Sequence, residues 1–263
     1  MQHHDTVDRL VAAELDYAHF NARRTTTGDD EDVIQLVTDE DFRHIVDPTH
    51  PDSPYYNRIV CRRRAALTDD VLGSLAHTVV AVEVPPGFLD DAAAAALAAI
   101  GFQPSESRCY LTASARNGEA VPPGRSILPW PHERADDFLD LLTIEGVQFT
   151  PQTRERKRRF YCTDEFMAFV STDADGVACA WATMYRTGDA AFLANAFTRP
   201  EFRRAGHQTA LLRARLAHAA ALGLDHVFTD VEHGSQSHVN TERIGFRTTT
   251  ITTIWTHGPA SAR

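Results

Sequence analysis

An α/β fold built from two related halves is predicted by three observations. Apolar runs of strand character alternate with helix-like stretches along the chain. The order strand, helix, Ile-Gly-Phe, strand occurs twice, at residues 79–112 and again at residues 227–256. The length of 263 residues, 43% hydrophobic and 24% charged, gives room for two compact domains, each with its own core.

The N-terminal stretch Thr6–Asn21 carries Val7, Leu10, Val11, Leu15 and Phe20 at helical spacing, with Asp5 as cap. Extended apolar runs follow at Val33–Val37 and Tyr56–Cys61. A helix is expected from Thr68 to His77, its Thr-Asp-Asp start suited to the positive end of the helix dipole. Val79–Val84 reads as a buried strand that Pro85-Pro86-Gly87 stops. Ala-rich Asp90–Ala99 reads as a helix that Gly101 ends, and Arg108–Ala113 as a strand. From Ser114 to Pro131 the composition shifts to Asn-Gly, Pro-Pro-Gly and Pro-Trp-Pro, the mark of an interdomain linker.

Beyond it, Arg134–Ile144 and Thr153–Tyr161 are expected to be helical. Met167–Thr172, Val177–Arg186 and Ala191–Thr198 form a meander with turns at Asp173–Gly176 and Thr187–Asp189. Gln208–Leu222 has helix composition closed by Gly223, and His226–Glu232 is a further strand. The predicted division is therefore 1–113, a linker at 114–131, and 132–263.

Charge and composition exclude several functions. A formal charge of -10 argues against a surface that coats nucleic acid. No apolar run reaches the ~20 residues of a membrane helix, and the N-terminus is not signal-like. Cys61, Cys109, Cys162 and Cys179 are far apart and form no C-x-x-C pair, so buried thiols and a cytoplasmic setting are expected. The thirteen histidines show no metal-ligand spacing, and no metal is expected. Trp130, Trp181 and Trp255 have no basic stripe between them and read as core rings.

Chemistry concentrates at Phe197–Leu212, where a strand breaks into an Arg/Gly turn that opens onto a helix. The first N–H groups of a helix lack intrahelical partners and the dipole adds partial positive charge, so the turn suits a phosphate. Gly206 permits close backbone approach, and Arg203 and Arg204 add charge-assisted bonds. Residues 199–215 hold five arginines (199, 203, 204, 213, 215) and one glutamate, a local excess of +4 in an acidic chain.

Here the sequence resembles the GNAT superfamily of acyl-CoA-dependent N-acetyltransferases. The family signature Q/R-x-x-G-x-G/A aligns with Arg203-Arg204-Ala205-Gly206-His207-Gln208, although Gln208 replaces a small residue. The resemblance implies that Arg203–Thr209, including Thr209 itself, bind the pyrophosphate of acetyl-CoA. It also implies that Ala196, Phe197 and Thr198 pair with the pantetheine arm, and that Ser235, Ser237 and Asn240 form a second cofactor segment. It implies two tandem GNAT-like domains, each a mixed, mostly antiparallel sheet flanked by helices, the first lacking the Arg-x-x-Gly turn. Between Tyr56–Cys61 and Thr68 that half offers Arg62-Arg63-Arg64 but no glycine.

The expected reaction is transfer of an acetyl group to a primary amine of a small molecule by direct attack. Glu232, at the end of its strand, and Asp230 on the same face are the candidate general bases; either is equally at home as a solvated strand end or an arginine partner. The family's usual tyrosine acid, four residues before Gly245, is Thr241 here, whose hydroxyl is far less acidic than a phenol of pKa about 10. A non-catalytic acyl-CoA-binding module and a tandem transferase with a macromolecular acceptor remain alternatives. His207 and the charged run Arg154–Arg159 are weaker candidates, more at home as an exposed side chain and a solvated helix face.

Overall fold

The computed structural model describes residues 2–26, 33–38, 40–62, 80–115 and 127–257. The chain folds as two compact units, each an α/β arrangement with a mixed, mostly antiparallel sheet flanked by helices. The first comprises Met1–Tyr110, Val231–His233 and Thr248–Arg263, and the second Leu111–Asp230 and Gly234–Arg247. This grouping departs from a simple cut at residues 113 and 131, because each unit takes in strand residues from the other half of the sequence.

In the first unit, helix α1 (Gln2–Thr25) precedes β1 (Gln35–Thr38), β2 (Phe42–Val46), β3 (Asn57–Cys61) and β4 (Ala81–Val84). Helix α2 (Asp91–Ala99) and strand β5 (Phe102–Ser114) follow. The strand order is β1-β2-β3-β4-β10-β5, where β10 (Arg247–His257) comes from the far end of the sequence. β3 and β4 are parallel, whereas β4 and β10 are antiparallel with Trp255 opposite Val82. Helix α2 is capped by Asp90, whose carboxylate accepts from the Ala93 N–H at 2.8 Å. Strand β2 is absent from the sequence-based reading. Its buried face holds Arg43 beside Ile45, and the arginine is accommodated by Asp8 of α1 at 2.8 Å, a pairing that apolar periodicity does not register.

The two faces of this sheet are chemically different. Ile59, Cys61, Val82, Val84 and Trp255 pack with Leu97 of α2 in an apolar cluster. On the α1 side, Val60 and Ile45 meet Val11, Leu15 and Ala18, but Glu14, Arg58 and Glu83 are buried there too. Arg58 binds Glu14 and lies 3.5 Å from Glu83, which also accepts from Thr252 Oγ1 at 2.6 Å. The guanidinium is held above its usual pKa: burial opposes the charge, and the two carboxylates outweigh it. Tyr110 is buried beside them, its hydroxyl without a partner among the described residues, and desolvation raises its pKa.

In the second unit, α3 (Ala135–Ile144) and α4 (Pro151–Arg158) precede β6 (Phe166–Thr172), β7 (Ala178–Thr187) and β8 (Ala190–Thr198). Helix α5 (His207–Ala221), β9 (His226–Glu232) and α6 (Gln236–Arg243) follow. The order β9-β8-β7-β6 is antiparallel except for the parallel β8–β9 pair. Helix α4 begins two residues earlier than expected because Thr150 caps it, accepting from the Thr153 N–H, and Pro151 suits the first turn. Arg154 and Arg158 of the charged run pair with Asp136 and Asp140 of α3.

Alternation assigns the two faces of this sheet. Phe169 meets His218 of α5, and Ser171 bonds His207 at the start of α5, so these residues and their partners Ala182 and Ala180 face that helix. Phe166 meets Tyr161, which stacks near Phe138 of α3, so Tyr185, Thr183 and Trp181 face α3.

Most of the expected linker, residues 116–126, lies outside the described residues, as do the helix expected at Thr68–His77 and the arginines Arg63 and Arg64. The end of the linker is structured: Pro129 bridges Phe169, and the Trp130 N–H donates to Ala168 O at 2.8 Å.

Two outcomes are expected. Arg58→Met removes the cation bonded to Glu14 and nearest Glu83, leaving Glu14 with Arg108 at 4.0 Å, so urea denaturation should show a loss of about 3–5 kcal/mol, whereas Tyr110→Phe, which removes a hydroxyl with no partner among the described residues, should change stability by no more than ~1 kcal/mol. Ending the chain before Thr248 removes β10 from between β4 and β5. Hydrogen exchange at residues 81–84 should then speed up by roughly tenfold or more.

Candidate functional site

The candidate site grows from the last residues of β8. Pairing of β8 with β9 runs from Ala190↔His226 to Leu193↔Thr229, and the Thr229 hydroxyl donates to Leu193 O at 3.0 Å. On the other side, Thr183 faces Ala194 and Trp181 faces Phe197, so Asn195 and Ala196 together oppose Ala182. This is a β-bulge, with Asn195 at φ 48°. Asn195 and Ala196 are exposed although they lie within a strand, and Phe197 and Thr198 are half-buried.

A 3-10 turn at Pro200–Phe202 leads from β8 to the Arg/Gly loop. Arg204 (φ 64°) and Gly206 (φ 82°) are both left-handed, and the chain curls between them into α5. Gly206 is the N-cap of α5 with no side-chain cap, and a Cβ there would meet nothing within 4 Å. Arg203, Arg204, Ala205 and Gly206 are all exposed. An uncapped, exposed start to a 15-residue helix, flanked by two arginines, is a ready anion site.

The other sequence-derived candidates fall in several places. The His207 imidazole is buried, with Nδ1 2.9 Å from Ser171 Oγ. Its side chain therefore faces the core and not solvent, the reverse of the expected exposed histidine. Arg215 is also buried, and Arg199 pairs with Glu201 at 2.5 Å, so the arginines of 199–215 do not act as one patch. Gln208, the departure from the motif, reaches α6: its Nε2 lies 3.4 Å from Ser237 Oγ, and its Oε1 accepts from Asn240 Nδ2 at 2.6 Å. It thereby brings the second expected cofactor segment beside the loop. Ser235 caps α6 and accepts from the His238 N–H at 3.1 Å. Thr209 is half-buried on the first turn of α5.

Thr241 is 2% exposed and donates to Ser237 O at 2.7 Å, a bond internal to α6. It is therefore no stand-in for a phenolic acid. Asp230 is half-buried in the second unit, while Glu232 is exposed in Val231–His233, which groups with the first. The structure thus does not place the two candidate bases in one unit.

One polar group of this face escaped the sequence reading. Glu145, at the end of α3, accepts a hydrogen bond from the indole N–H of Trp181, whose ring lies 5.0 Å from that of Phe197. Desolvation raises the Glu145 pKa, and the Trp181 bond only partly offsets it. Thr183 and Asn195 continue the same face toward the bulge, Asn195 Nδ2 lying 3.3 Å from Thr183 Oγ1. A lone glutamate before a glycine turn has no motif to reveal it; the buried Trp181 opposite would have been the only cue.

An exposed helix start without a side-chain cap, just beyond the end of β8 in an α/β fold, is a geometry suited to a phosphate-bearing ligand. Residues 131–246, a little under half of the chain, match the family model described as the acetyltransferase (GNAT) family. A search of curated proteins finds no match. The fold is similar to that of a GCN5-related N-acetyltransferase from Kribbella flavida, at 15% identity and TM-score 0.59, covering 96% of this chain and 97% of that one. A GCN5-related N-acetyltransferase from Sphaerobacter thermophilus gives 14% identity and TM-score 0.57, over 95% and 90%. A tandem GNAT protein from the clavulanic acid biosynthesis pathway gives 18% and 0.51, over 84% and 79%. The fold is accordingly that of two tandem GNAT-like domains.

Because Glu145 touches the Trp181 indole, tryptophan emission should report its ionisation. A pH titration should show an inflection above the ordinary glutamate pKa of about 4.3, which Glu145→Gln, still an acceptor for the indole, should abolish.

Proposed function

We propose that this chain transfers an acetyl group from acetyl-CoA to a primary amine of a small molecule in the cytoplasm. The observation that carries the reading is the exposed turn Arg203–Gly206 on the uncapped start of α5, directly beyond a strand whose last residues are open. In this reading the turn and Thr209 hold the pyrophosphate, and Ala196–Thr198 run beside the pantetheine arm. Ser237 and Asn240, joined to the turn through Gln208, border the same groove.

The amine nitrogen attacks the thioester carbon, and the carbonyl electron pair moves to oxygen. Backbone N–H groups near Ala196 stabilise that oxyanion as it forms. Collapse then breaks the C–S bond, and coenzyme A leaves as thiolate. Asp230, in the same unit as the turn, takes the ammonium proton. With Thr241 tied to Ser237, the thiolate is protonated by the carboxylic acid so formed, directly or through a water, which restores the base. Holding both substrates in one cleft supplies much of the rate.

Calorimetry with coenzyme A tests the cofactor site. Arg204→Glu puts a carboxylate against the pyrophosphate and should weaken binding at least about tenfold, roughly 1.4 kcal/mol. Arg204→Gly separates charge from backbone: relief of the left-handed strain should raise stability by about 1 kcal/mol, while affinity still falls. Unchanged affinity in both folded variants would move the site elsewhere. Mass spectrometry of products from an amine library with acetyl-CoA identifies the acceptor, and the absence of any acetylated amine would overturn the small-molecule reading.

A further inference from the structure

Arg215 is 2% exposed, and desolvation is what lowers its pKa, with no carboxylate acting on it among the described residues. A buried cation without a counter-ion is costly unless its hydrogen bonds are well made. Its bonds all go to backbone carbonyls: Nε donates to Leu211 O at 3.2 Å, and Nη1 to Thr183 O at 2.9 Å and Ala194 O at 3.4 Å. The last two belong to the facing pair on β7 and β8 immediately before the bulge. Thr183 Oγ1 donates to the same Ala194 carbonyl at 3.2 Å.

We propose that Arg215 is a positioning residue for acyl transfer, clamping β7 to β8 at the bulge and holding a positive charge behind the strand that polarises the acyl carbonyl. The clamp lies one residue before Asn195, which carries the left-handed backbone, so it fixes the direction taken by the exposed peptides of Asn195–Ala196. The Ala194 carbonyl and the Asn195 N–H belong to one peptide unit, so hydrogen bonds donated to that carbonyl polarise the unit in the sense that favours negative charge on the far side. Among the described residues no carboxylate cancels the charge locally, and its field therefore reaches the developing oxyanion. This inference rests on the acetyl-CoA site proposed above.

Isotope-edited infrared spectroscopy of acetyl-CoA labelled with 13C at the acetyl carbonyl, bound to the full chain, tests it without any acceptor. In the wild type the bound carbonyl stretch should move to lower frequency than in free acetyl-CoA. Arg215→Met should lose at least half of that shift and Arg215→Lys less, while calorimetric affinity for coenzyme A, which lacks the carbonyl, stays within about threefold. A purely structural role would change stability and leave the shift intact. The proposal is overturned if the wild type shows no shift, or if a folded variant binds acetyl-CoA with the full shift. Should Arg215→Met not fold, the wild type and Arg215→Lys decide the matter. Failure of the wild type to bind acetyl-CoA would instead sink the cofactor site itself.

Discussion

The second unit depends on one extra residue in β8. Without it, the alternation that sends Trp181 and Thr183 toward α3 would continue unbroken into Phe197 and Thr198, and β8 would present no irregular backbone at its open end. The slip is stabilised from both faces of the sheet. Arg215 reaches it from α5, and Thr183 and Asn195 close over it from the α3 side. A left-handed asparagine is a strained choice by itself, and it persists because these contacts determine the backbone around it.

The Arg/Gly turn was legible because its chemistry is local: strand, two arginines, glycine and helix follow one another within about a dozen residues. The meander and α5 were legible for the same reason, since their periodicity and turn residues are continuous. Arg215 was misread as part of the anion patch because charge counting takes no account of which way a helical side chain points. Position 215 falls on the buried stripe with Leu211, Leu212 and Leu216. Gln208 looked like a defect in the motif and proves to be the link to Ser237 and Asn240, a contact made across 29 residues or more of sequence.

The first unit uses charge quite differently. Its sheet has one apolar face, against Leu97, and one on which Glu14, Arg58 and Glu83 are enclosed. Such a network adds little net stability relative to apolar packing, yet each member depends on the others once buried. The arginines of this half serve its core as well as its surface. Arg43 is bonded to Asp8 and Arg58 to Glu14, whereas the second unit carries Arg203 and Arg204 exposed on an open turn.

The place of β10 has a consequence for how the chain is made. The first unit contains a central strand that lies well over a hundred residues downstream of its other strands. On a ribosome, β4 and β5 emerge long before their shared neighbour, with an interval on the order of ten seconds at ordinary elongation rates. During that time β4 is one-sided, and its apolar residues Val82 and Val84 are without Trp255. The first unit begins to emerge before the second and is completed only after it. Any process that shields unpaired strand edges acts on this chain chiefly in that interval.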